Sequence, residues 1–373
     1  MKSKKSSFLK VIIRIIAGCI TLFYLLSCFT PYINPSNGFV WTFLALGFPV
    51  LLLLMGLIVV ISLFINKKIF LITLLILLAG YKNINSSIAY QVFNPSIFRG
   101  KTIKVLSWNV DGLLNVEQPL KLQKSKRDKV IDFIKTTNAD IVCLQDNTFC
   151  VVASKKHSDD ITEMKNMGYP YHVISEDFNT EKNKSESYGT GIFSKYPIEN
   201  TNKINYKGNN YESLLYADIN IKGKTVRVFT THLRSMRLHY EIYYPTEEYT
   251  MSQDDTADVL SKSIFHKLIY FDKKHAEQAI AAKQVMDSTK LPFILCADLN
   301  SVPASFVYHQ ISKGLNDVFL NKGSGLGKTY SEISPTLRID VILTSPVIKP
   351  LSYSSPRLVL SDHYPVVATI GLP

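Results

Sequence analysis

The chain has 373 residues, enough for one large domain or two ordinary ones, and a formal net charge of +12. That charge does not speak for nucleic-acid binding: residues 1–99 hold nine basic residues and no Asp or Glu, which leaves +3 for the rest (33 basic against 30 acidic residues). None of the five cysteines has C-x-x-C spacing, which argues against a cysteine-built metal site.

Three apolar runs fill residues 1–95, read as a membrane anchor. Val11–Phe29 is interrupted only by Arg14, near its start, where a long side chain can snorkel. Phe39–Ile65 is free of charge over 27 residues, longer than the ~20 a helix needs to cross a bilayer. Ile69–Tyr81 is weaker: its core spans only ~20 Å, so a crossing needs the milder stretch Asn83–Tyr90, with Lys82 tolerated. The basic N-terminus and Asn66-Lys67-Lys68 are expected in the cytoplasm and the uncharged loop Thr30–Gly38 outside. Three crossings place residues 101–373 on the extracytoplasmic face of a bacterial inner membrane; a re-entrant third run would put them inside. Ile16-Ala17-Gly18-Cys19 resembles a lipoprotein processing site, but mostly apolar residues and a second span follow it, so neither lipidation nor a cleaved signal peptide is expected.

The second half alternates strand-like and helical patterns. Strands are expected at Thr102–Ser107, Asp140–Leu144, Gly189–Ser194, Ser213–Ile221, Thr225–Thr231, Pro292–Ala297, Ile339–Thr344 and Val366–Ile370. Helices are expected at Leu122–Thr136, Asp160–Met167, Thr256–Ser288 (with a break) and Ala304–Lys313. Ile221-Lys222-Gly223-Lys224-Thr225 reads as a hairpin turn. The absence of a regular βαβ rhythm suggests sheets packed together with helices outside. Arg237–Asp255, with Tyr240, Tyr243, Tyr244 and Tyr249, is a long aromatic loop that either packs on the domain or meets bases or lipid headgroups. Cys143 and Cys296 fall in core strands and read as buried thiols, a disulfide remaining open.

Six fragments end apolar runs with polar residues: Ser107-Trp108-Asn109-Val110, Leu144-Gln145-Asp146, Thr231-His232-Leu233, Ala297-Asp298-Leu299-Asn300, Arg338-Ile339-Asp340 and Ser361-Asp362-His363-Tyr364-Pro365-Val366. A strand that delivers a side chain to the rim of a sheet has this form. A single Asp at a strand end is usually a cap or a turn residue. The ordered set instead collects carboxylates, carboxamides and two histidines, which suits a hard cation and a phosphate ester. His157, His172, His239, His266, His275 and His309 read as surface or packing residues.

With Ser187-Tyr188-Gly189-Thr190-Gly191 added in its place, residues 101–372 resemble the endonuclease/exonuclease/phosphatase superfamily, whose fold is like that of deoxyribonuclease I. The resemblance implies an α/β fold, a four-layer sandwich with two mixed sheets, here preceded by three transmembrane helices. It also implies roles. Asn109 and Asp146 stand where the family holds Mg²⁺ (Mn²⁺ being an alternative), and Asp362 can complete that site. Asp298 and Asn300 match the motif that positions the attacking water and the phosphate oxygens. His363 matches the general base or electrostatic clamp, oriented by Asp340. His232 matches the residue that contacts the phosphate or protonates the leaving oxygen. Tyr188, Gly189 and Gly191 read as structural, letting a strand pass close to the site.

One departure stands out. The family usually has Glu where Asp146 stands, and the shorter carboxylate falls roughly 1.5 Å short, against a tolerance of about 0.5 Å. Gly323–Thr329 imitates a phosphate-binding loop, but Lys322 occupies the first glycine position and no apolar strand precedes it, so nucleotide binding is not expected. The function implied is a membrane-anchored, Mg²⁺-dependent phosphodiesterase that works by in-line water attack. A nuclease is the leading form and a phospholipid or other phosphate-ester hydrolase the alternative. A catalytically weakened member that binds a phospho-ligand is a third reading, motivated by Asp146. No feature of the sequence fixes the oligomeric state.

Overall fold

The computed structural model describes residues 2–91, 98–112, 120–150, 159–177, 186–207, 212–236, 264–332, 334 and 336–373. The junction expected near residue 95 and the tyrosine-rich stretch 237–255 lie outside these residues.

Helices α1 (Lys2–Ser27) and α2 (Val40–Ile65) are long and apolar enough to cross a bilayer. Asn66 then takes an extended backbone, and its side chain accepts from Lys68 N at 2.8 Å, which turns the chain sharply into α3 (Lys67–Ala79). The third run is not one straight span. It breaks at Gly80 and continues at 56° as α4 (Tyr81–Ser87). The reason lies in the polar residues of α4, which are buried rather than left to lipid: Asn83 Nδ2 donates to Ser27 O at 2.7 Å and Ser86 Oγ to Pro303 O at 2.9 Å. Tyr24 OH, on α1, donates to Leu77 O, so the bent pair comes level with the end of α1. A short strand β1 (Ala89–Tyr90) follows.

The remainder runs β2 (Thr102–Asn109), α5 (Leu120–Thr137), β3 (Ile141–Cys150), α6 (Asp160–Asn166), β4 (Tyr171–Ile174), β5 (Glu186–Ser194), β6 (Ile198–Asn205), β7 (Ser213–Ile221), β8 (Lys224–His232), α7 (Ile264–Ser288), β9 (Phe293–Asp298), α8 (Phe306–Ser312), β10 (Asn316–Asp317), α9 (Val318–Lys322), β11 (Ser324–Gly325), β12 (Asp340–Thr344), β13 (Lys349–Ser354) and β14 (Val366–Gly371). Two six-stranded sheets form, in the orders β13-β14-β2-β3-β5-β4 and β10-β12-β9-β8-β7-β6. Val105, Cys143, Ala217, Val228, Cys296 and Ile342 are among the side chains that meet between them. The outer face of the first sheet packs on α5 and α6 through Trp108, Val130, Ile134 and Met164, and that of the second on α7 and α8 through Ala279, Met286, Leu295 and Ile311. This is the expected four-layer α/β sandwich. Helix α7 is unbroken over its described length.

Both sheets are mainly antiparallel, but β2–β3 and β8–β9 are parallel pairs, each joined by a crossover that carries a helix. This arrangement brings the ends of β2, β8 and β9, and the middle of β3, to one rim. Strands β12 and β14 run the other way and therefore start there, with Asp340 opposite Asp298 and Val366 opposite Ser107. The hairpin between β7 and β8 turns on Lys222 and Gly223, both at positive φ (55° and 88°), the two-residue turn that matches strand twist.

The helices do not float beside this body. Besides Ser86, Thr30 Oγ1 lies 2.6 Å from Ala304 O, β1 pairs with β11, and Phe43 packs on Phe265 at 5.5 Å. Thr42 Oγ1 donates to Asp272 at 2.6 Å. Burial pushes the Asp272 carboxyl up to about 6, the Thr42 hydroxyl pulling the other way. With a folded value above the ordinary 3.8, the stability that goes with the protonated group is complete below that value and is lost as pH rises through about 6. Asp272→Asn keeps an acceptor for Thr42 without the charge. It is expected to raise Tm at pH well above 6 and to change it little in acid; equal shifts at both pH values would contradict this account.

Candidate active site

The rim gathers residues from both sheets around Asp298, which is fully buried. Its Oδ2 accepts from Asn109 Nδ2 at 2.8 Å and faces His232 Nε2 at 3.5 Å and His363 Nε2 at 3.7 Å. Its Oδ1 accepts from Asn300 N at 2.9 Å. Asn300 adopts a left-handed backbone (φ 45°) and donates from Nδ2 to Leu233 O, tying the β9 end to the β8 end. Burial pushes the Asp298 carboxyl above its ordinary value, with Asp340 adding to that and the two histidines opposing it.

His363 is held from the other side. Its Nδ1 lies 2.9 Å from Asp340 Oδ2 and 3.1 Å from Oδ1, leaving Nε2 toward Asp298. Its carbonyl accepts from Trp108 Nε1 at 3.0 Å, and its ring meets Tyr330 edge-on at 5.0 Å. Burial works against a charged ring here, but the Asp340 and Asp298 carboxylates outweigh it and raise His363 well above the ordinary histidine range. Asp340 is steadied in turn by Thr329, whose Oγ1 accepts from Ile339 N and Asp340 N at 3.0 Å each. The glycine-rich stretch before it thus serves the rim through Thr329, and Lys328 Nζ turns to Ser331 O.

Three more carboxylates stand opposite. Asp146 sits on a β-bulge of β3, between Leu144 and Asn147, with a left-handed backbone (φ 48°), and Tyr188 OH donates to its Oδ1. The bulge re-aims a side chain that a regular strand would direct elsewhere. Ser361 Oγ donates to Asp362 Oδ1 at 3.2 Å. The third, Asp111, was not anticipated. Burial first, then Asp362 and Asp146, push its carboxyl up to about 7, with Lys126 in partial opposition at 3.6 Å. Asp362 is raised by burial and by Asp146, against His363. Asp111 lies beyond the end of β2 with a left-handed backbone (φ 48°), so strand alternation gave no signal for it.

The structure thus brings His232, Asp298, Asn300, Asp340, His363 and Asn109 into one hydrogen-bonded or facing set, and Asp146 and Asp362 into a second with Asp111. Among the described residues, Asp298, Asp340 and His363 offer ligand atoms within 4.8 Å of one another. Asp340 is engaged by His363 Nδ1; Asp111, Asp146 and Asp362 offer only oxygen donors, whose repulsion a divalent ion would relieve, but their ligand atoms do not lie within that distance of one another. Of the histidines given no role, His275 bridges Arg234 O (2.6 Å) and Ser301 Oγ (3.3 Å) behind the rim, and His172 stacks on Phe193. Tyr188 does more than pack, since its hydroxyl holds Asp146. Gly189 is structural as expected: at φ 152° its missing Cβ leaves room for Ser175 Oγ. Cys143 and Cys296 are free, buried thiols.

A sequence model of the endonuclease/exonuclease/phosphatase family matches residues 106–363. The chain belongs to that family. Its members are metal-dependent phosphoester hydrolases, and this chain is an enzyme of the same class. A second model, of a domain of unknown function (DUF8431), matches residues 10–87, which cover the membrane helices. No curated relative matches the chain. Among solved structures, an endonuclease/exonuclease/phosphatase protein from Beutenbergia cavernae shares 18% identity over 73% of this chain and 72% of its own, with a TM-score of 0.51. The human nocturnin catalytic domain, solved with a bound sulfate, shares 16% identity over 75% of this chain and all of its own, with a TM-score of 0.52. Both likenesses establish the family's fold.

Proposed function

We propose that this chain hydrolyses phosphodiester bonds by in-line attack of water, with Mg²⁺ held by Asp111, Asp146, Asp362 and the Asn109 amide oxygen, and Mn²⁺ able to take its place. The observation that carries the reading is His363, oriented through Nδ1 by Asp340 and presenting Nε2 beside the buried Asp298 carboxylate. A bound cation supplies charge neutralisation at the phosphate oxygens. The protein does the rest. Asp298 and Asn300 align the water, and Asp298 accepts its proton as the new P–O bond forms. His363, flanked by carboxylates and therefore cationic, clamps a phosphate oxygen. The P–O bond to the leaving alcohol breaks on the opposite side, and His232 contacts the phosphate or returns a proton to that oxygen. Nucleic acid is the substrate form first expected for this family, phospholipid the second.

The helices are proposed to hold the enzyme in a bacterial inner membrane with the catalytic body outside the cytoplasm. In support, among the described residues the hydrogen bonds of Thr30, Thr42 and Ser86 with the body come from the end carrying the uncharged 30–38 loop, and Lys67-Lys68 lies at the other end. Val359→Cys, at a residue 93% exposed, is expected to react with an impermeant maleimide in intact spheroplasts. Labelling only after lysis would reverse the assignment.

His363→Ala in the full-length enzyme is expected to lower kcat/KM on a soluble generic phosphodiester by about 10³-fold, and chelation of divalent metal to abolish turnover. Activity that survives both would remove the site from the reaction. The shorter Asp146 gives the weakened-member reading its one support. Because the bulge and Tyr188 position that carboxylate, Asp146→Glu is expected to change turnover by less than about tenfold. A larger gain would identify a decayed metal site.

A further inference from the structure

Besides the contacts of Thr42 and Phe43 with α7, three contacts between helices and body fall on segments that lead into the rim of the site. Ala304, whose carbonyl meets Thr30, is four residues from Asn300, a reach of at most about 14 Å. Arg338, fully buried, donates from Nη2 to Ser86 O at 2.8 Å and lies two residues from Asp340, at most about 7 Å away. Gly325 pairs with Ala89 and lies five residues before Tyr330, which packs on His363. Three segments of the rim are thus clamped to the same end of the helix bundle. Thr30 itself is only three residues past the end of α1, where the apolar span ends. The polar headgroup layer reaches about 5–7 Å beyond the hydrocarbon edge, so the reacting centre stands beside that layer.

The surface next to the rim is made for lipid as well. Ile264 and Phe265, at the start of α7, are 57% and 66% exposed and continue the apolar face of α2 through Phe43. Tyr32, Tyr81 and Tyr90 are exposed around the same end, as aromatic side chains are at a bilayer interface. By contrast, the near-neutral charge of residues 100–373 offers little of the phosphate-tracking surface that a long nucleic acid requires.

We propose that the phosphodiester this site takes is a lipid headgroup of the bilayer its own helices span; the proposal rests on the hydrolase reading above. Water adds to the headgroup phosphorus, one P–O ester bond breaks, and the proton lost by the water ends on the released alcohol, either diacylglycerol or the headgroup alcohol. Fixing the rim at the surface replaces a search in solution by encounter in two dimensions, at the high effective concentration of lipid around the anchor.

The test uses full-length protein in vesicles of phosphatidylglycerol and phosphatidylcholine with Mg²⁺ or Mn²⁺. Three substrates are followed in the same preparation: vesicle lipid, a soluble generic phosphodiester, and single- and double-stranded oligonucleotides. Lipid is expected to be hydrolysed about tenfold or more faster than oligonucleotide at matched phosphodiester concentration. Phe265→Asp, at an exposed residue outside the reacting groups, is expected to cut the lipid rate severalfold and leave the soluble diester rate unchanged. Turnover of the soluble diester and oligonucleotide with intact lipid would overturn the lipid proposal and leave the hydrolase standing, as would equal loss on both substrates in Phe265→Asp. No turnover of any of the three substrates would sink the hydrolase reading itself.

Discussion

The structure turns on one buried carboxylate. Asp298 belongs to the second sheet, Asn109 to the first, and His363 enters from the loop before the first sheet's β14, yet all converge on Asp298 Oδ2. A carboxylate removed from water costs several kcal/mol unless charge and hydrogen bonds meet it. Here an amide, a backbone N–H and two imidazoles do so, and meeting that requirement closes the seam between the sheets at the rim. Gln145 repeats the theme one layer deeper, donating to Ser107 (3.1 Å) in its own sheet and across the seam to Thr230 (3.0 Å). The groups that hold the sandwich together at this end are therefore the groups to which we assign the chemistry.

Opposite Asp298 the electrostatics reverse. Asp362 and Asp146 raise the proton affinity of Asp111, and Asp146 raises that of Asp362, because like charges share a confined space. Such an arrangement stores unfavourable energy until a cation enters, which is how a metal site distinguishes itself from a structural ion pair such as Arg227–Asp218. The two halves of the rim are complementary: one balances a negative charge with imidazoles, and the other leaves negative charge unbalanced.

The membrane helices extend this logic beyond the catalytic body. Arg338 has no solvent, and its two terminal nitrogens donate to Asp317 at 2.8 Å and to the Ser86 carbonyl of α4. Thr42 does the same for Asp272. Removing the helices would leave buried polar groups without these partners, so the body is matched to its anchor rather than merely tethered to it. The cost of that matching is a fixed orientation, which under the lipid proposal keeps the site turned toward its substrate.

Much of this was legible in the sequence. The central strands carry unbroken apolar runs because they are buried on both faces, and each ends on the polar residue that the rim needs; Phe293–Asp298 is buried at every position. Asn109, His232, Asp298, Asn300, Asp340 and His363 could therefore be named from order alone. The strands of the two large sheets that escaped, β4, β6, β10 and β13, all lie at sheet edges, and β6 (Ile198–Asn205) is exposed at five of eight positions, so no apolar pattern announced it. Composition alone fixed the two long membrane helices, because hydrocarbon admits nothing else at that length. Only the tertiary structure decided the break at Gly80, the bulge that aims Asp146, and the arrival of Asp111 beside Asp362. Each depends on partners more than thirty residues away, and local propensity carries no record of a charge or hydrogen bond that forms only when distant strands meet.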